Sequence, residues 1–281
     1  MIVQDHLTAN IMLADINSHY PLSPEQLTCF RHSGFIKLKN VFSPETLEWY
    51  GQTITRLTVA LNTQTKPMAE RSTYDQAFLQ IMNLWEHSDL VREFVLGRRL
   101  GRLATELLAV NGVRLYHDQS LYKEPGGGIT PAHADQYYWP LDTGRTITAW
   151  IPLQPVPKDM GPLAFYAKSQ SAAFGRELAI SDESELRIAA AMEAQGFVIV
   201  DEPFELGEVS FHQGWTFHRT GANKSTRPRS VMTVIYMDRD MKLKHPENDM
   251  QRNDWARWCP GAVSGEPIRT AMNPVIYSLL A

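Results

Sequence analysis

Thr130-Pro131-Ala132-His133-Ala134-Asp135-Gln136-Tyr137-Tyr138-Trp139 is the stretch on which the reading of this chain turns. In extended backbone, residues two apart project from the same face, so His133 and Asp135 stand side by side on a strand. An imidazole and a carboxylate so placed can chelate one divalent cation. Completed by one distant histidine, a His-x-Asp pair is the sequence form of the 2-His-1-carboxylate facial triad of non-haem iron sites. The pair alone is a weak signal, because His-x-Asp also occurs by chance in surface turns.

The chain has nine histidines from which to draw the third ligand. His6, His19, His32 and His87 fall in an N-terminal helical part, and His245 sits in a polar segment before Pro246. His117 lies on a strand and can point inward, but it lacks a partner at ligand spacing. His212 and His218 remain, in Ser210-Phe211-His212-Gln213-Gly214-Trp215-Thr216-Phe217-His218-Arg219-Thr220-Gly221. They lie six residues apart, so strand parity does not separate them, and on spacing alone both stay candidates.

Working outward, residues 1–23 carry no clear periodicity and read as an arm. Ser23-Pro24-Glu25 and Ser43-Pro44-Glu45 are helix starts, each with a capping serine, a first-turn proline and an acidic first turn. The first of these helices ends at Gly34 and the second runs toward Leu61, with Phe35–Lys39 an alternating strand between them. Helices are expected over Tyr74–Trp85 and Asp89–Val110. From Val113 the texture changes to short strands separated by Gly/Pro turns: Arg114–Lys123, Thr146–Leu153, Leu163–Ala167, Phe197–Val200, Gly207–Phe211 and Arg229–Met237. One helix, Glu183–Gln195, interrupts them. This pattern is that of a sandwich or a jelly roll. It predicts one domain over 1–281, with a mostly helical layer at 1–112, a β core at 113–237, and a C-terminal segment at 238–281 that wraps the outside.

Composition narrows the function classes. A net charge of −4 argues against a general binder of nucleic acid or anionic membrane, so neither is an expected partner. No apolar run of roughly 18 residues marks a membrane span. The first residues lack the basic and apolar regions of a secretory signal. Two widely separated cysteines, Cys29 and Cys259, exclude a disulfide framework and read as reduced thiols, so a cytoplasmic location is expected. Gly126-Gly127-Gly128 is no phosphate cradle, since no Lys-Ser/Thr follows it; it reads as a flexible turn near a site.

Several of these blocks together resemble the phytanoyl-CoA dioxygenase (PhyH)-like family of iron(II)/2-oxoglutarate-dependent dioxygenases. Pro131-Ala132-His133-Ala134-Asp135 is similar to its metal-binding His-x-Asp, and Met160-Gly161-Pro162-Leu163 to its Gly-Pro-Leu turn. Gly207 through Asn223, closing at Arg227-Pro228-Arg229, resembles its distal-histidine block. Phe30-Arg31-His32-Ser33-Gly34-Phe35 and Asn273-Pro274 resemble its opening and close. The resemblance implies a mainly β fold with flanking helices: a double-stranded β-helix (jelly roll, cupin-like) core under a helical N-terminal layer. It also implies metal ligands His133, Asp135 and His218, leaving His212 a neighbour. Arg229, eleven residues past His218, is the implied partner of the far carboxylate of 2-oxoglutarate, with Thr220 and Trp150 at co-substrate positions.

The implied cofactors are Fe(II), 2-oxoglutarate as co-substrate and O2, with ascorbate as reductant in vitro. The implied reaction hydroxylates an unactivated C–H bond of a small molecule and releases succinate and CO2. Desaturation, ring formation or epimerisation by the same chemistry is the rival within the class. A metal-binding jelly-roll sensor without turnover is the rival outside it. Asp135 disfavours a halogenating relative, which needs a vacancy at that ligand position. Gln119 and Lys123 share a strand face and either reach the co-substrate or form a polar pair at the barrel rim. Tyr137, Tyr138, Trp139 and Trp215 flank the metal residues and line a substrate pocket or belong to plain core. No basic run marks a coenzyme A phosphate site, which favours a free small molecule as substrate.

Overall fold

The two serine-proline starts work as read. Ser23 and Ser43 accept hydrogen bonds from the Gln26 and Thr46 backbone N–H groups, and Pro24 and Pro44 occupy the first turn, where no N–H is missed. Gly34 closes the first helix at φ 80°, a conformation glycine adopts without strain. The computed structural model describes residues 2–280. The helices are α1 (Ile2–Asn17), α2 (Pro24–Ser33), α3 (Pro44–Leu61), α4 (Thr73–Ala77), α5 (Asp89–Val95), α6 (Arg98–Leu108), α7 (Asp182–Ala194) and α8 (Asp249–Trp258). The strands are β1 (Phe35–Leu38), β2 (Leu79–Met82), β3 (Gly112–Lys123), β4 (Thr130–His133), β5 (Thr146–Pro152), β6 (Leu163–Tyr166), β7 (Ile199–Asp201), β8 (Val209–Gln213), β9 (His218–Thr220), β10 (Arg229–Asp238) and β11 (Val275–Ser278).

Two antiparallel sheets form the β core. The larger runs β1-β8-β5-β10-β3-β11, with β2 also on β3, and the smaller runs β4-β9-β6-β7. Alternation sorts the residues of the larger sheet into two environments. Ile147, Ala149, Ile151, Met232, Val234 and Tyr236 pack outward against apolar residues of α3, α5 and α6. The intervening Trp150 and Val231 pack inward with Leu163 and Phe165 of the smaller sheet. The fold is thus the mainly β jelly roll with a helical N-terminal layer that the sequence implied.

Three expectations need correction. The arm expected over 1–23 contains α1, which docks through buried Met12 and Ile16 and whose Asp15 carboxylate takes hydrogen bonds from Arg99, Thr46 and the Ser43 N–H. Tyr74–Trp85 is not one helix: α4 ends at Ala77, and β2 pairs with β3, tertiary pairing overriding local preference. The segment from Asp238 does not merely wrap the outside. Met241, Leu243, Trp258, Cys259 and Ile268 are buried together with Tyr116 and Trp139. Isolated apolar residues in a polar segment carry no period to announce such packing.

Candidate metal centre

Sheet register assembles the centre. His133 on β4 is the cross-strand partner of His218 on β9, so their rings meet with centroids 4.3 Å apart. β4 ends at His133; Ala134 stays extended (φ −122°, ψ 130°), and Asp135 opens a short 3-10 turn. The extended Ala134 keeps the two-residue side-by-side relation although the strand itself has stopped. Asp135 Oδ1 lies 3.6 Å from Nε2 of both His133 and His218. One ligand atom from each of the three lies within 4.8 Å of the others.

Each ligand atom is aimed by a second contact. His133 Nδ1 is 2.7 Å from the Pro131 carbonyl and His218 Nδ1 is 2.9 Å from the Thr216 carbonyl. A carbonyl only accepts, so both Nδ1 atoms donate, which in the neutral ring leaves Nε2 its lone pair. Burial first, then the neighbouring His133, pushes His218 down to about 3, so its imidazole is neutral, as a metal ligand must be. Asp135 Oδ2 accepts from Thr148 Oγ1 at 3.0 Å and from His212 Nε2 at 3.2 Å, which leaves Oδ1 facing the two imidazoles. Burial raises the Asp135 carboxyl, but His218, His133 and His212 outweigh it and hold the group well below the usual range. Two imidazole nitrogen donors and one anionic oxygen suit a hard-to-borderline divalent ion such as Fe(II).

A cavity of about 490 Å³ opens on this cluster. Arg229 lines it, fully buried, with its Nη1 donating to the Gly161 carbonyl and its Nε without a partner. No carboxylate lies within ion-pair distance of it among the described residues, and burial pushes it down to about 9. Trp150 lies 5.5 Å from this guanidinium by ring centroid, and Thr220 bonds Thr130 at 2.8 Å on the same lining. Gln119 lines the cavity with its carbonyl oxygen accepting from Gln80. Lys123 does not: its Nζ donates to the Gly128 and Gly221 carbonyls, pinning the Gly126–Gly128 turn, and burial followed by Arg229 pushes it down to about 6. Gly126 and Gly128 donate to the Asn223 and Gln76 carbonyls, so the triglycine turn is tied at both ends.

Of the four aromatics, Tyr138 and Trp139 line this cavity, while Tyr137 and Trp215 line a separate cleft of about 650 Å³ that Trp139 also borders. Sequence reasoning passed over Thr148, Thr130, Tyr74 and, on α8, Asp254 as cavity residues. Thr148 was findable, since it sits on an expected strand with the parity of Trp150.

Two imidazoles and one carboxylate, converging between the sheets of a jelly roll beside a buried unpaired arginine, define a class. It is that of the non-haem iron(II)- and 2-oxoglutarate-dependent oxygenases. The phytanoyl-CoA dioxygenase (PhyH) family model matches residues 30–231, and the chain belongs to that family. Phytanoyl-CoA dioxygenase domain-containing protein 1 of Danio rerio is 24% identical over 164 residues, 56% of this chain and 55% of that protein. The chain therefore spans about half the length of the curated relative it matches. The non-heme alpha ketoglutarate dependent carbocyclase SnoK from nogalamycin biosynthesis shares the fold at TM-score 0.73 and 22% identity, over 91% of this chain and 97% of that one. The epimerase SnoN, solved with Fe3+, alpha ketoglutarate and nogalamycin RO, does so at 0.74 and 20%, over 90% and 98%. EctD from S. alaskensis, with 2-oxoglutarate and 5-hydroxyectoine, does so at 0.68 and 18%, over 90% and 86%.

Proposed function

We propose that the protein hydroxylates an unactivated C–H bond of a small organic molecule, converting 2-oxoglutarate and O2 to succinate and CO2. One observation carries the reading beyond metal binding: the buried Arg229 guanidinium faces the cavity without a carboxylate partner. A buried charge is costly unless paired, so this cavity is built for an anionic ligand. A planar guanidinium matches a carboxylate through two parallel hydrogen bonds.

In this reading His133 Nε2, His218 Nε2 and Asp135 Oδ1 hold Fe(II), which when bound supplies the redox chemistry that couples decarboxylation of 2-oxoglutarate to substrate oxidation. Arg229 holds the far carboxylate, the Trp150 ring packs over the guanidinium, and Thr220 offers a hydroxyl alongside. Leu121 and Leu163 wall the same cavity and exclude water around the co-substrate. Tyr138 and Trp139 face the substrate. The Tyr138 hydroxyl accepts from the Ile180 N–H at 2.8 Å, which fixes the 179–180 segment on the cavity lining. The whole chain acts as one catalytic unit, because Met250, Asn253, Asp254 and Arg257 of the C-terminal segment complete that lining.

Free Cys29 and Cys259 fit a cytoplasmic location, and no helix of the described residues is long and apolar enough to cross a membrane. The test is succinate formation from 2-oxoglutarate, dependent on Fe(II) and ascorbate, followed by product analysis. A gain of one oxygen marks hydroxylation. Loss of two hydrogens marks desaturation or ring formation, and an inverted centre at unchanged mass marks epimerisation. Metal binding without succinate under any condition leaves the non-catalytic metal-binding protein and overturns the proposal.

A further inference from the structure

Along β3 and β10 the inward positions run in pairs: Lys123 with Arg229, Leu121 with Val231, Gln119 with Thr233, His117 with Ile235. About six residues of strand, roughly 20 Å, separate the Arg229 end from the His117 end. Thr148, which supports Asp135, is the β5 partner of Ile235. His117 therefore lies level with the metal cluster, two strand spacings or about 10 Å to one side.

At this level β3 carries a bulge. Ile235 pairs with His117 and Tyr236 with Leu115, which leaves Tyr116 as the extra residue. A bulge re-aims side chains, and here two successive ones reach the inner side. Tyr116 packs with Trp139 and Ile235, and His117 lines the cavity. Helix α8 covers both: the Tyr116 hydroxyl is 3.3 Å from Asp254 Oδ2, and the Trp258 ring is 5.0 Å from His117.

This wall lacks a partner. His117 is only 4% exposed, and its Nδ1 has no hydrogen-bond partner. Asp254, half-buried, has the long bond from Tyr116, the Trp258 indole beside it and no ion pair with any cation of the described residues; Arg257, one turn along α8, is exposed and acts on its charge only from a distance. Tyr74, Tyr138 and Trp139 supply aromatic surface on the same cavity. A neutral imidazole keeps one acceptor nitrogen and a carboxylate only accepts, and leaving acceptors on a closed wall unmatched is costly. Their complement among aromatic walls is a cation with several N–H donors.

We propose that Asp254 and His117 bind a protonated amine of the substrate, Asp254 meeting the charge and His117 accepting a second N–H. The inference rests on the oxygenase reading and names its substrate class: small molecules with a basic nitrogen. The titration of the wall agrees with it. Burial pushes His117 down to about 4, so it stays neutral beside a cation, and burial lifts Asp254 to about 7, outweighing the Tyr116 hydroxyl, the Trp258 indole and the Arg257 charge that lower it.

The test uses the full chain loaded with Mn(II) and N-oxalylglycine, an inert 2-oxoglutarate analogue, followed by calorimetry and thermal shift. The probes are phenethylamine, tryptamine and cadaverine, each beside its N-acetyl counterpart and the matching carboxylate. We expect at least one amine to bind about tenfold or more tightly than its N-acetyl partner, since hydrogen bonds to an ionised group are about twice as strong as neutral ones. Asp254→Asn should erase that preference while still binding Mn(II) and N-oxalylglycine. Equal binding of the pairs, preference for the carboxylates, persistence of the preference in Asp254→Asn, or no amine binding at all overturns the inference. The amine-against-acetyl comparison needs no variant, so it decides the matter even where Asp254→Asn fails to fold. Amine preference without Mn(II) or N-oxalylglycine binding sinks the oxygenase reading and leaves this site standing.

Discussion

His212 Nε2 lies 3.2 Å from Asp135 Oδ2, the carboxylate oxygen other than the Oδ1 that the His133 and His218 imidazoles meet, with its ring 4.5 Å from that of His218. This contact separates two histidines that spacing alone left equivalent. His218 presents a free Nε2 lone pair to the centre, whereas His212 spends its Nε2 on orienting the ligand carboxylate. Groups that orient a metal ligand typically contribute about 10–100-fold to metal affinity. We therefore expect His218→Ala to abolish stoichiometric iron binding, and His212→Ala to bind iron about 10–100-fold more weakly yet still fill one site. Metal titration with anaerobic Fe(II) reads both. Full loss in His212→Ala with retention in His218→Ala would exchange their roles.

Arg229 and Arg227 flank Pro228, but only Arg229 is buried; Arg227 is exposed. Removing one member of a buried charged pair costs roughly 3–5 kcal/mol, or about two to three decades in affinity. An exposed arginine contributes about 0–1 kcal/mol. Arg229→Ala should thus weaken 2-oxoglutarate binding by two to three orders of magnitude, and Arg227→Ala by less than about tenfold. The 2-oxoglutarate dependence of turnover, or direct anaerobic titration, distinguishes them. Equal losses would displace the co-substrate anchor from Arg229.

How far the sequence reached depended on whether a feature had a period or a local signature. Strands β3, β5 and β10 are long enough to show alternation, and they carry Trp150, Gln119 and Arg229 where parity puts them, on the cavity. Strand β9 has only the three residues His218–Thr220, so nothing periodic marked His218. Its place came from the resemblance, and its pairing with His133 is visible only across the sheet. Helix α8, Asp-Met-Gln-Arg-Asn-Asp-Trp-Ala-Arg-Trp, buries only Gln251 and Trp258, too few to stand out as an apolar face. The Asn248 cap was the one local cue to it. The bulge at Tyr116 depends on a register shift between β3 and β10, which no single strand encodes.

Gly161 links the turn before β6 to the arginine. It adopts φ 67°, and a Cβ there would sit 2.2 Å from the Gly221 carbonyl oxygen. That obstacle is backbone, and its carbonyl also accepts a bond from Lys123. The Gly161 carbonyl in turn accepts from Arg229. Gly161→Ala is therefore expected to destabilise the fold by about 1–3 kcal/mol from the strained conformation alone, with the clash adding to it. It should also weaken 2-oxoglutarate binding although it removes no charge. Denaturant unfolding and co-substrate titration on the same sample check both effects. An unchanged midpoint with unchanged co-substrate affinity would show that this turn does not position Arg229.

His117, buried, and Asp254, half-buried, titrate in opposite senses, which yields a prediction with two signs. Burial depresses His117 from an unfolded value of 6.5 to about 4. Between these values the unfolded chain binds the proton and the native chain does not, so this group lowers stability as pH falls from about 6.5 and has no effect above it. Burial raises the Asp254 carboxyl from 3.8 to about 7. There the native chain holds the extra proton, so this group raises stability as pH falls from about 7 toward 3.8. Asp118, also lifted to about 7 by burial, acts in the same sense as Asp254, while His218 acts with His117. The wild-type pH profile is therefore a near-balance and uninformative alone. Single variants unbalance it. Relative to wild type, His117→Phe should gain about 2–3 kcal/mol on going from pH 7 to about pH 4.5, and Asp254→Asn should lose a similar amount. Urea unfolding of metal-free protein at the two pH values gives both differences. Shifts of the same sign for the two variants, or none for either, would mean that these groups are solvated in the native state. The wall beside the metal centre would then hold no unmet acceptors.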